Sequence, residues 1–375
     1  QSKSLIILTT EIEIPNELSD LITILEFNLP TRSEIKKELK RLIKSLEQNI
    51  ENEFLEVLIR ACQGLSIEKI RRALSKSIAQ SGTITLKSLD LILKEKQQII
   101  SQTQILEFYP TTLQFKDIGG LENLKRWLQN RRSSFSEKAK LYGLPSPRGL
   151  LLVGIQGTGK SLTAKTIAHE WNLPLLRLDI GRIFGGIVGE SENRIRQMIQ
   201  LVEALSPCVL WIDEIDKAFN EQNKSNDSGT TNRVLGTFLI WLAEKTAQVF
   251  VVATANNLEV LPLEIIRKGR FDEIFFLGLP TFVERKQIFS VFLQRFRPLN
   301  TNQFNLDQLA QHSADFSGAE IEQSFIEGMH IAFNEKREFQ NKDILKGVQQ
   351  IIPLSQLEVT RIEKIQTWAL SGKIR

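Results

Sequence analysis

The stretch of sequence that decides the fold is residues 150–161, which read LLLVGIQGTGKS. The apolar run 150–153 is long enough for a buried strand, and it ends at a glycine-rich turn. The turn from Gly154 to Ser161 fits the pattern G-x-x-x-x-G-K-S/T, and a helical pattern begins near Lys160. Backbone N–H groups in such a turn point inward around an anion, and the positive end of the following helix strengthens their attraction. The stretch therefore predicts a phosphate-binding site between a strand and a helix.

Each residue type in this turn has an expected role. Lys160 is placed to reach the β- and γ-phosphates of a nucleoside triphosphate such as ATP, and the Ser161 hydroxyl is placed to ligate Mg²⁺. The other residues expected to contact the nucleotide here are Gly154, Gln156, Gly157, Thr158, Gly159 and Leu162. The alternative, a glycine-rich turn that binds nothing, fits poorly with the strand before it and the helix after it.

A second apolar run ends in carboxylates. Residues 208–216 read CVLWIDEID, so Asp213 and Glu214 follow directly on a strand-like segment. Asp213 is placed to hold the magnesium ion through its water shell, and Glu214 to orient and polarise an attacking water. Acidic residues after a strand are common, but after a phosphate loop in the same chain they indicate phosphoryl-transfer chemistry.

Short apolar runs alternate with helical patterns between residues 109 and 280. The runs lie at 150–153, 175–178, 208–212, 249–253 and 274–277. Strands separated by helix-length segments imply a parallel sheet covered on both faces. We therefore predict an α/β fold, with a nucleotide-binding core over 109–280 and only helices over 281–375.

The first zone, residues 1–108, repeats part of the later sequence. ILEFNLPTRSEI at 24–35 aligns with IFFLGLPTFVER at 274–285, and ACQGLSIEKIRRAL at 61–74 resembles SADFSGAEIEQSFI at 313–326. Chance similarity between amphipathic segments is the alternative. We interpret the first zone as the back half of a second, degenerate copy of the same domain, and expect the chain, which begins with glutamine, to be a fragment or a processed form.

From about residue 113 to 340 the chain resembles the AAA ATPase family. DIGGL at 117–121 is similar to the family's adenine-pocket segment, ATANN at 253–257 to its γ-phosphate sensor, and FSGAEIE at 316–322 to its lid helix. The resemblance implies a P-loop ATPase core with a C-terminal helical lid. The same resemblance implies that the γ-phosphate is sensed by Asn256. It also implies that the residues near the adenosine are Asp117, Ile118, Gly119, Gly318 and Ala319.

The segment IRKGRFDE, at 266–273, resembles the family's arginine motif. By that resemblance, Arg267 and Arg270 would reach the ATP of a neighbouring subunit, so each site is complete only in a homo-oligomer, expected to be a hexameric ring. The resemblance also implies a protein client. A net charge of +4 gives no reason to expect a nucleic-acid partner. The apolar runs are too short for a membrane span.

The pore-loop segment departs from the family's threading members. Those carry an aromatic residue before a Gly-Glu pair, whereas FGGIVGES at 184–191 places Ile187 there. Two functions stay open: an ATP-hydrolysing enzyme that remodels a protein partner, and an ATP-binding assembly or regulatory switch with little turnover. The absence of an aromatic residue at the Ile187 position favours the switch. The complete set of nucleotide motifs favours the enzyme.

One branch of the family is more similar than the rest. The variant pore loop, the degenerate first zone and the linker ILEFY at 105–109 resemble uncharacterised AAA proteins encoded in algal plastids and found in cyanobacteria. The resemblance implies a place in the plastid stroma or the cyanobacterial cytoplasm. Two cysteines, Cys62 and Cys208, make no disulfide framework, which is typical of a reducing compartment.

Overall fold

The structure, a computed structural model, describes residues 29–102, 105–184, 190–219 and 228–369, with a few single positions before residue 29. The strands are β1 (Leu106–Tyr109), β2 (Gly149–Gly154), β3 (Leu175–Leu178), β4 (Cys208–Ile212), β5 (Val249–Ala255) and β6 (Glu273–Leu277). The helices before β3 are α1 (Arg32–Ser45), α2 (Asn52–Cys62), α3 (Ile67–Ser81), α4 (Leu86–Gln102), α5 (Glu122–Arg131), α6 (Glu137–Leu141) and α7 (Lys160–Glu170). The helices after β3 are α8 (Ile180–Phe184), α9 (Glu190–Ala204), α10 (Ser228–Glu244), α11 (Leu263–Ile266), α12 (Phe282–Phe296), α13 (Leu306–His312), α14 (Gly318–Asn334), α15 (Asn341–Gln350), α16 (Leu354–Leu357) and α17 (Val359–Trp368).

The strands form one six-stranded sheet in the order β1-β3-β4-β5-β2-β6, and β2 to β6 run parallel. The five apolar runs of the sequence all form strands at the predicted places. They are continuous apolar runs because helices cover both faces of the sheet, as the full burial of β2 and β5 illustrates. Strand β2 lies between β5 and β6, so the loop that follows it opens at the carboxyl edge of the sheet centre.

The edge strand β1 corrects the sequence analysis. Residues 105–109 were expected to be a linker beside a wholly parallel sheet, but Leu106–Tyr109 pair antiparallel with β3, and Leu106 lies opposite Leu178. The physical reason is that β3 would otherwise expose an unpaired row of backbone groups, which a short apolar segment nearby can satisfy. The linker therefore belongs to the sheet.

Each face of the sheet carries its own apolar core. On one face, α9 and α10 bury Met198, Val202 and Leu242 against the strands. On the other, α5 and α7 bury Trp127 and Ile167. The two cores hold the strands between them, and so fix the carboxyl edge where the phosphate loop begins.

The helices after β6 form a separate small core. Phe289 and Leu293 of α12 pack with Phe325 of α14, and all three are fully buried. Among the described residues after 281, the regular secondary structure is helical, as the sequence predicts. Within the described ranges, no helix has both the length and the apolar character needed to cross a bilayer.

The first helical unit, α1 to α4, also has its own core, formed around Ile35, Leu39, Leu58 and Leu74. In sequence, α1 and α3 show apolar residues at three- and four-residue steps, and α3 ends at Ser81 with Gly82 as its left-handed C-cap. Two further apolar runs, LIIL at 5–8 and ITILEF at 22–27, are strand-like in sequence and lie mostly outside the described residues.

The first unit packs directly on the α/β core. Helix α4 contacts β1, and a Cβ atom added to Gly64 would lie 2.7 Å from Leu205 Cδ2. Lys96, on α4, is only 3% exposed, and its Nζ makes one long contact of 3.5 Å with the carbonyl oxygen of Arg60. Its electrostatic neighbours are the buried thiols of Cys62 and Cys208, one in each unit. The junction therefore holds a poorly solvated ammonium group.

Lys96→Met is expected to raise the free energy of unfolding at neutral pH. Burial lowers the pKa of Lys96 from 10.5 to about 8, so the unfolded chain binds more protons between these values and stability rises with pH across that window. Keeping Lys96 protonated in the folded state costs roughly 3 kcal/mol of stability. We therefore expect the variant to be more stable than the wild type by most of this amount at about pH 7, and by roughly 1 kcal/mol at about pH 9.5. Urea unfolding at both pH values measures the difference.

The matched control is Lys94→Met, because Lys94 lies on the same helix but is exposed. This control is expected to leave the free energy of unfolding nearly unchanged at either pH. A Lys96→Met variant that is no more stable than the wild type at neutral pH would show that the buried ammonium is fully compensated.

Candidate nucleotide site

The phosphate loop connects β2 to α7. Gly157 and Gly159 adopt positive φ angles of 81° and 94°, and α7 begins at Lys160. A Cβ atom at Gly157 would lie 2.7 Å from Ser317 Oγ, at the start of the lid helix α14. Glycine is required at this position because the backbone is left-handed and the lid approaches it closely.

Lys160 lies against its own loop. Its Nζ donates to the carbonyl oxygens of Gly154 at 2.8 Å and Ile155 at 2.7 Å, and the residue is 6% exposed. Burial lowers its pKa to about 8, although the nearby carboxylates of Asp216 and Asp213 oppose the shift. An ammonium group has three donors, so one remains for a ligand, and an anion there would stabilise its charge.

Ser161 and Asp213, the two residues predicted to hold magnesium, lie in contact. Ser161 Oγ donates to Asp213 Oδ1 at 3.0 Å, and Thr254 Oγ1 donates to the same oxygen at 2.7 Å. A hydroxyl beside a carboxylate is the kind of oxygen donor set that Mg²⁺ prefers, so these residues fit that metal. Thr254 was not predicted as a site residue; the register of β4 with β5, in which Ile212 pairs with Ala253, places it beside Asp213.

Glu214 is held by several groups. Its backbone has a φ of 51°, and its N–H donates to Thr254 Oγ1 at 2.8 Å. Asn256 Nδ2 donates to Glu214 Oε1 at 2.9 Å, so the structure brings together the predicted catalytic carboxylate and the predicted γ-phosphate sensor. Lys217, which the sequence analysis did not single out, forms an ion pair with the other carboxylate oxygen. A left-handed backbone at a non-glycine residue is a strained conformation typical of functional sites.

A third carboxylate, Asp216, lies buried behind this pair and was not predicted as a site residue. Its Oδ2 accepts from the backbone N–H of Asn257 at 3.0 Å, and its Oδ1 has no hydrogen-bond partner. Burial raises the pKa of Asp216. Its charge acts on Lys160, which makes it part of the electrostatic environment of the phosphate loop.

The segment expected near the adenine joins the core to the lid. The backbone N–H of Gly120 donates to Gln287 Oε1 at 2.8 Å, and that of Leu121 donates to Glu284 Oε1 at 3.2 Å. A Cβ atom at Gly119 would lie 2.6 Å from the backbone nitrogen of Ile288. Helix α12 of the lid therefore packs directly against this turn.

The remaining residues expected near the adenosine divide into two groups. Ile118 is buried beside the turn, whereas the carboxylate of Asp117 caps a local turn by accepting from the Gln114 N–H at 2.7 Å. On the lid, the Ala319 N–H donates to the Gly157 carbonyl oxygen at 3.0 Å, with Gly318 beside it. The two expected lid residues thus reach the phosphate loop.

Arg267 and Arg270 lie away from this cluster. Arg267 is exposed, and a guanidinium nitrogen of Arg270 donates to the carbonyl oxygen of Glu264. Within the described part of the chain, neither contacts a residue of the phosphate loop. Ile187 of the pore-loop segment lies outside the described residues.

A mainly parallel sheet, a glycine loop entering a helix at a lysine, and carboxylates at the neighbouring strand end define a P-loop nucleotide-binding protein. Two family models match the chain: "ATPase family associated with various cellular activities (AAA)" over residues 150–279, and "SpoVK-like AAA ATPase, second domain" over residues 33–103. The chain belongs to the AAA ATPase family, in agreement with the resemblance of its motifs.

Two of the similar proteins match over the whole chain. It is 60% identical over 375 residues to the protein described as "uncharacterized AAA domain-containing protein ycf46" from Trieres chinensis, covering 100% of this chain and 76% of that protein. The protein of the same description from Guillardia theta is 59% identical, with 100% and 74% covered. A more distant relative, the proteasome-activating nucleotidase of Sulfurisphaera tokodaii, is 28% identical over 304 residues, with 79% and 76% covered.

Proposed function

We propose that the chain binds Mg-ATP and hydrolyses it as an oligomer, in order to remodel or regulate a protein partner. The observation that carries the proposal is the hydrogen bond between Ser161 and Asp213, because it brings the phosphate loop against the strand end that carries Glu214. Neither element alone is specific for nucleotide hydrolysis, but their contact assembles the parts that phosphoryl transfer needs.

The roles of the residues follow from their positions. Ser161 would hold Mg²⁺ directly and Asp213 would hold it through water, while Lys160 and the backbone N–H groups of 154–159 bind the phosphates. When bound, the metal ion neutralises charge on the phosphates. Glu214 orients the attacking water, and Asn256 holds Glu214 on the side of the γ-phosphate.

The lid contributes the other wall of the proposed site. By the family resemblance, Ile118 and Gly119 of the core would line the adenosine from one side. Gly318 and Ala319, which lie against Gly157 of the phosphate loop, would line it from the other. Small residues at the lid position let the adenosine lie close to the backbone. Because Ala319 donates to the phosphate loop, a change in that loop on turnover would be passed to the lid.

The rate of hydrolysis per subunit is expected to rise with protein concentration as rings assemble, because Arg267 and Arg270 lie away from their own phosphate loop. Phosphate release measured across a dilution series tests this, with Mg-ATP binding followed by calorimetry on the same samples. The control is Lys160→Ala, which should neither bind nor hydrolyse ATP at any concentration.

The second candidate, an ATP-binding assembly or regulatory switch with little turnover, is favoured by the ion pair that occupies Glu214. It predicts tight binding with a flat, negligible rate in the same dilution series. Absence of any heat on mixing the folded protein with Mg-ATP would contradict both candidates.

We also propose that residues 1–108 contain the lid of a degenerate AAA domain, ahead of the core at 109–280 and the lid and C-terminal helices at 281–375. The match of residues 33–103 to an AAA second domain supports it. So do two capping boxes: the Thr31 N–H donates to Glu34 Oε2 at 2.8 Å, and the Thr281 N–H donates to Glu284 Oε2 at 2.9 Å.

The first lid is not expected to close on a nucleotide. Both helices have a serine N-cap, Ser66 and Ser317. Matching the helices at these caps shifts the sequence alignment by one residue and places Ile67 at the position of Gly318. A branched side chain there would fill the space left for the adenosine. We propose that this unit serves as a support for the ATPase core rather than as a second active lid.

The relatives also suggest a location and a kind of partner. The similarity to proteins described as ycf46 supports a place in the plastid stroma, or in the cytoplasm of a cyanobacterium. The name of the distant relative, proteasome-activating nucleotidase, supports a protein as the client. We propose no nucleic-acid partner.

A further inference from the structure

Glu214 is engaged through both of its carboxylate oxygens. Oε1 accepts from Asn256 Nδ2 at 2.9 Å, and Oε2 forms the ion pair with Lys217. The N–H of Glu214 is also fixed, by Thr254 at 2.8 Å. A carboxylate that orients a water must turn a free lone pair towards it, so contacts on both oxygens limit the orientations available for that task.

The two contacts differ in character. Asn256 is partly buried at the end of β5, whereas the Lys217 side chain is 65% exposed and reaches Glu214 from a 3-10 turn over residues 215–219. The hydrogen bond to Glu214 raises the pKa of Lys217, so the lysine is charged at neutral pH. An exposed side chain of this kind contributes little to packing, and its clearest partner is the catalytic carboxylate.

We propose that Lys217 is a positioning residue that restrains Glu214 and limits the basal rate of ATP hydrolysis. The ion pair turns Oε2 towards the exposed turn, and breaking it frees that oxygen to accept from the attacking water. Asn256 remains on Oε1 and keeps the carboxylate at the γ-phosphate side. This proposal rests on the proposed ATPase function and assigns a regulatory role within the same site.

The test compares the steady-state kinetics of variants made in the whole 375-residue chain. Lys217→Met removes the charge and keeps the length of the side chain, and we expect it to raise kcat about two- to five-fold with KM unchanged, because an exposed ion pair is weak. Lys217→Arg keeps the charge and is expected to restore the restraint. The matched control is Arg41→Met, since Arg41 is an exposed cation that pairs with Glu38, three residues before it on α1.

Several kinetic results would contradict the proposed role of Lys217. A kcat for Lys217→Met at or below the wild-type value would overturn the restraint, and so would a change in KM alone, which would place Lys217 on the nucleotide. An equal rise in Lys217→Arg would show that the charge is irrelevant. Absence of turnover in both the wild type and the variant would overturn the proposed function. Turnover that is equal in the wild type and in Lys217→Met would overturn the role of Lys217 alone.

Discussion

Glu214→Gln is expected to lower ATP turnover by a factor of about 10²–10⁴ while ATP binding persists. The amide has the shape of the carboxylate and can still accept from Asn256, but it cannot polarise a water as an anion does. Binding persists because the residues proposed to hold the phosphates and the metal, Lys160, Ser161 and Asp213, are unchanged. Phosphate release measures the first effect, and the ATP-dependent rise in Tm measures the second.

The control for this variant is Glu259→Gln, because Glu259 is an exposed carboxylate on the segment after β5 and loses the same charge. It is expected to turn over ATP like the wild type. Wild-type turnover in Glu214→Gln would remove Glu214 from the catalytic role, and loss of binding would make it part of the nucleotide pocket. A nucleotide-bound, stalled variant also offers a way to capture the client for mass spectrometry.

The sheet was predictable where its strands are buried on both faces. Strands such as β2 and β5 are continuous apolar runs, since both faces meet helices. Strand β1 could not be recognised in the same way: it has four residues, its burial is partial, and its pairing with β3 depends on a contact across the fold. An edge strand of this kind is determined by its partner more than by its own sequence.

The candidate site was predictable where a local motif carries it. The phosphate loop, Asp213 and Glu214 each follow a strand within a few residues, so their placement needs only local information. Thr254 and Lys217 were missed because their contacts depend on the register of β4 with β5 and on the 3-10 turn after β4. A sequence motif does not fix either of these features.

The contacts between core and lid were predictable only in outline. The family resemblance implied that Gly119 and Gly318 lie near the adenosine. It did not predict that α12 packs on the turn at 119–121. This packing depends on Glu284 and Gln287. Their side chains accept hydrogen bonds from backbone N–H groups more than 160 residues earlier in the chain. Contacts at such separation follow from the folded arrangement of two units, which no local pattern encodes.

Arg270→Ala is expected to lower the rate of hydrolysis by roughly 10³–10⁵ while ATP binding is kept, because an arginine supplied from a neighbour stabilises charge in the transition state. Among the described residues, Arg270 donates a hydrogen bond to the nearby Glu264 carbonyl oxygen of its own subunit. Arg132→Ala, which removes an exposed arginine elsewhere on the core, serves as the control. Size-exclusion chromatography with ATP checks that the variant still assembles.

Mixing two inactive variants distinguishes an arginine that acts on a neighbour from one that acts within its own subunit. Lys160→Ala lacks a working phosphate loop but keeps Arg270, whereas Arg270→Ala keeps the loop and lacks the arginine. In an equal mixture, about a quarter of the subunit boundaries pair an intact loop with an intact arginine, so activity should return to roughly that share of the wild-type rate. A mixture as inactive as its components would place the arginine's action inside one subunit, and the ring would then not be required to complete the site.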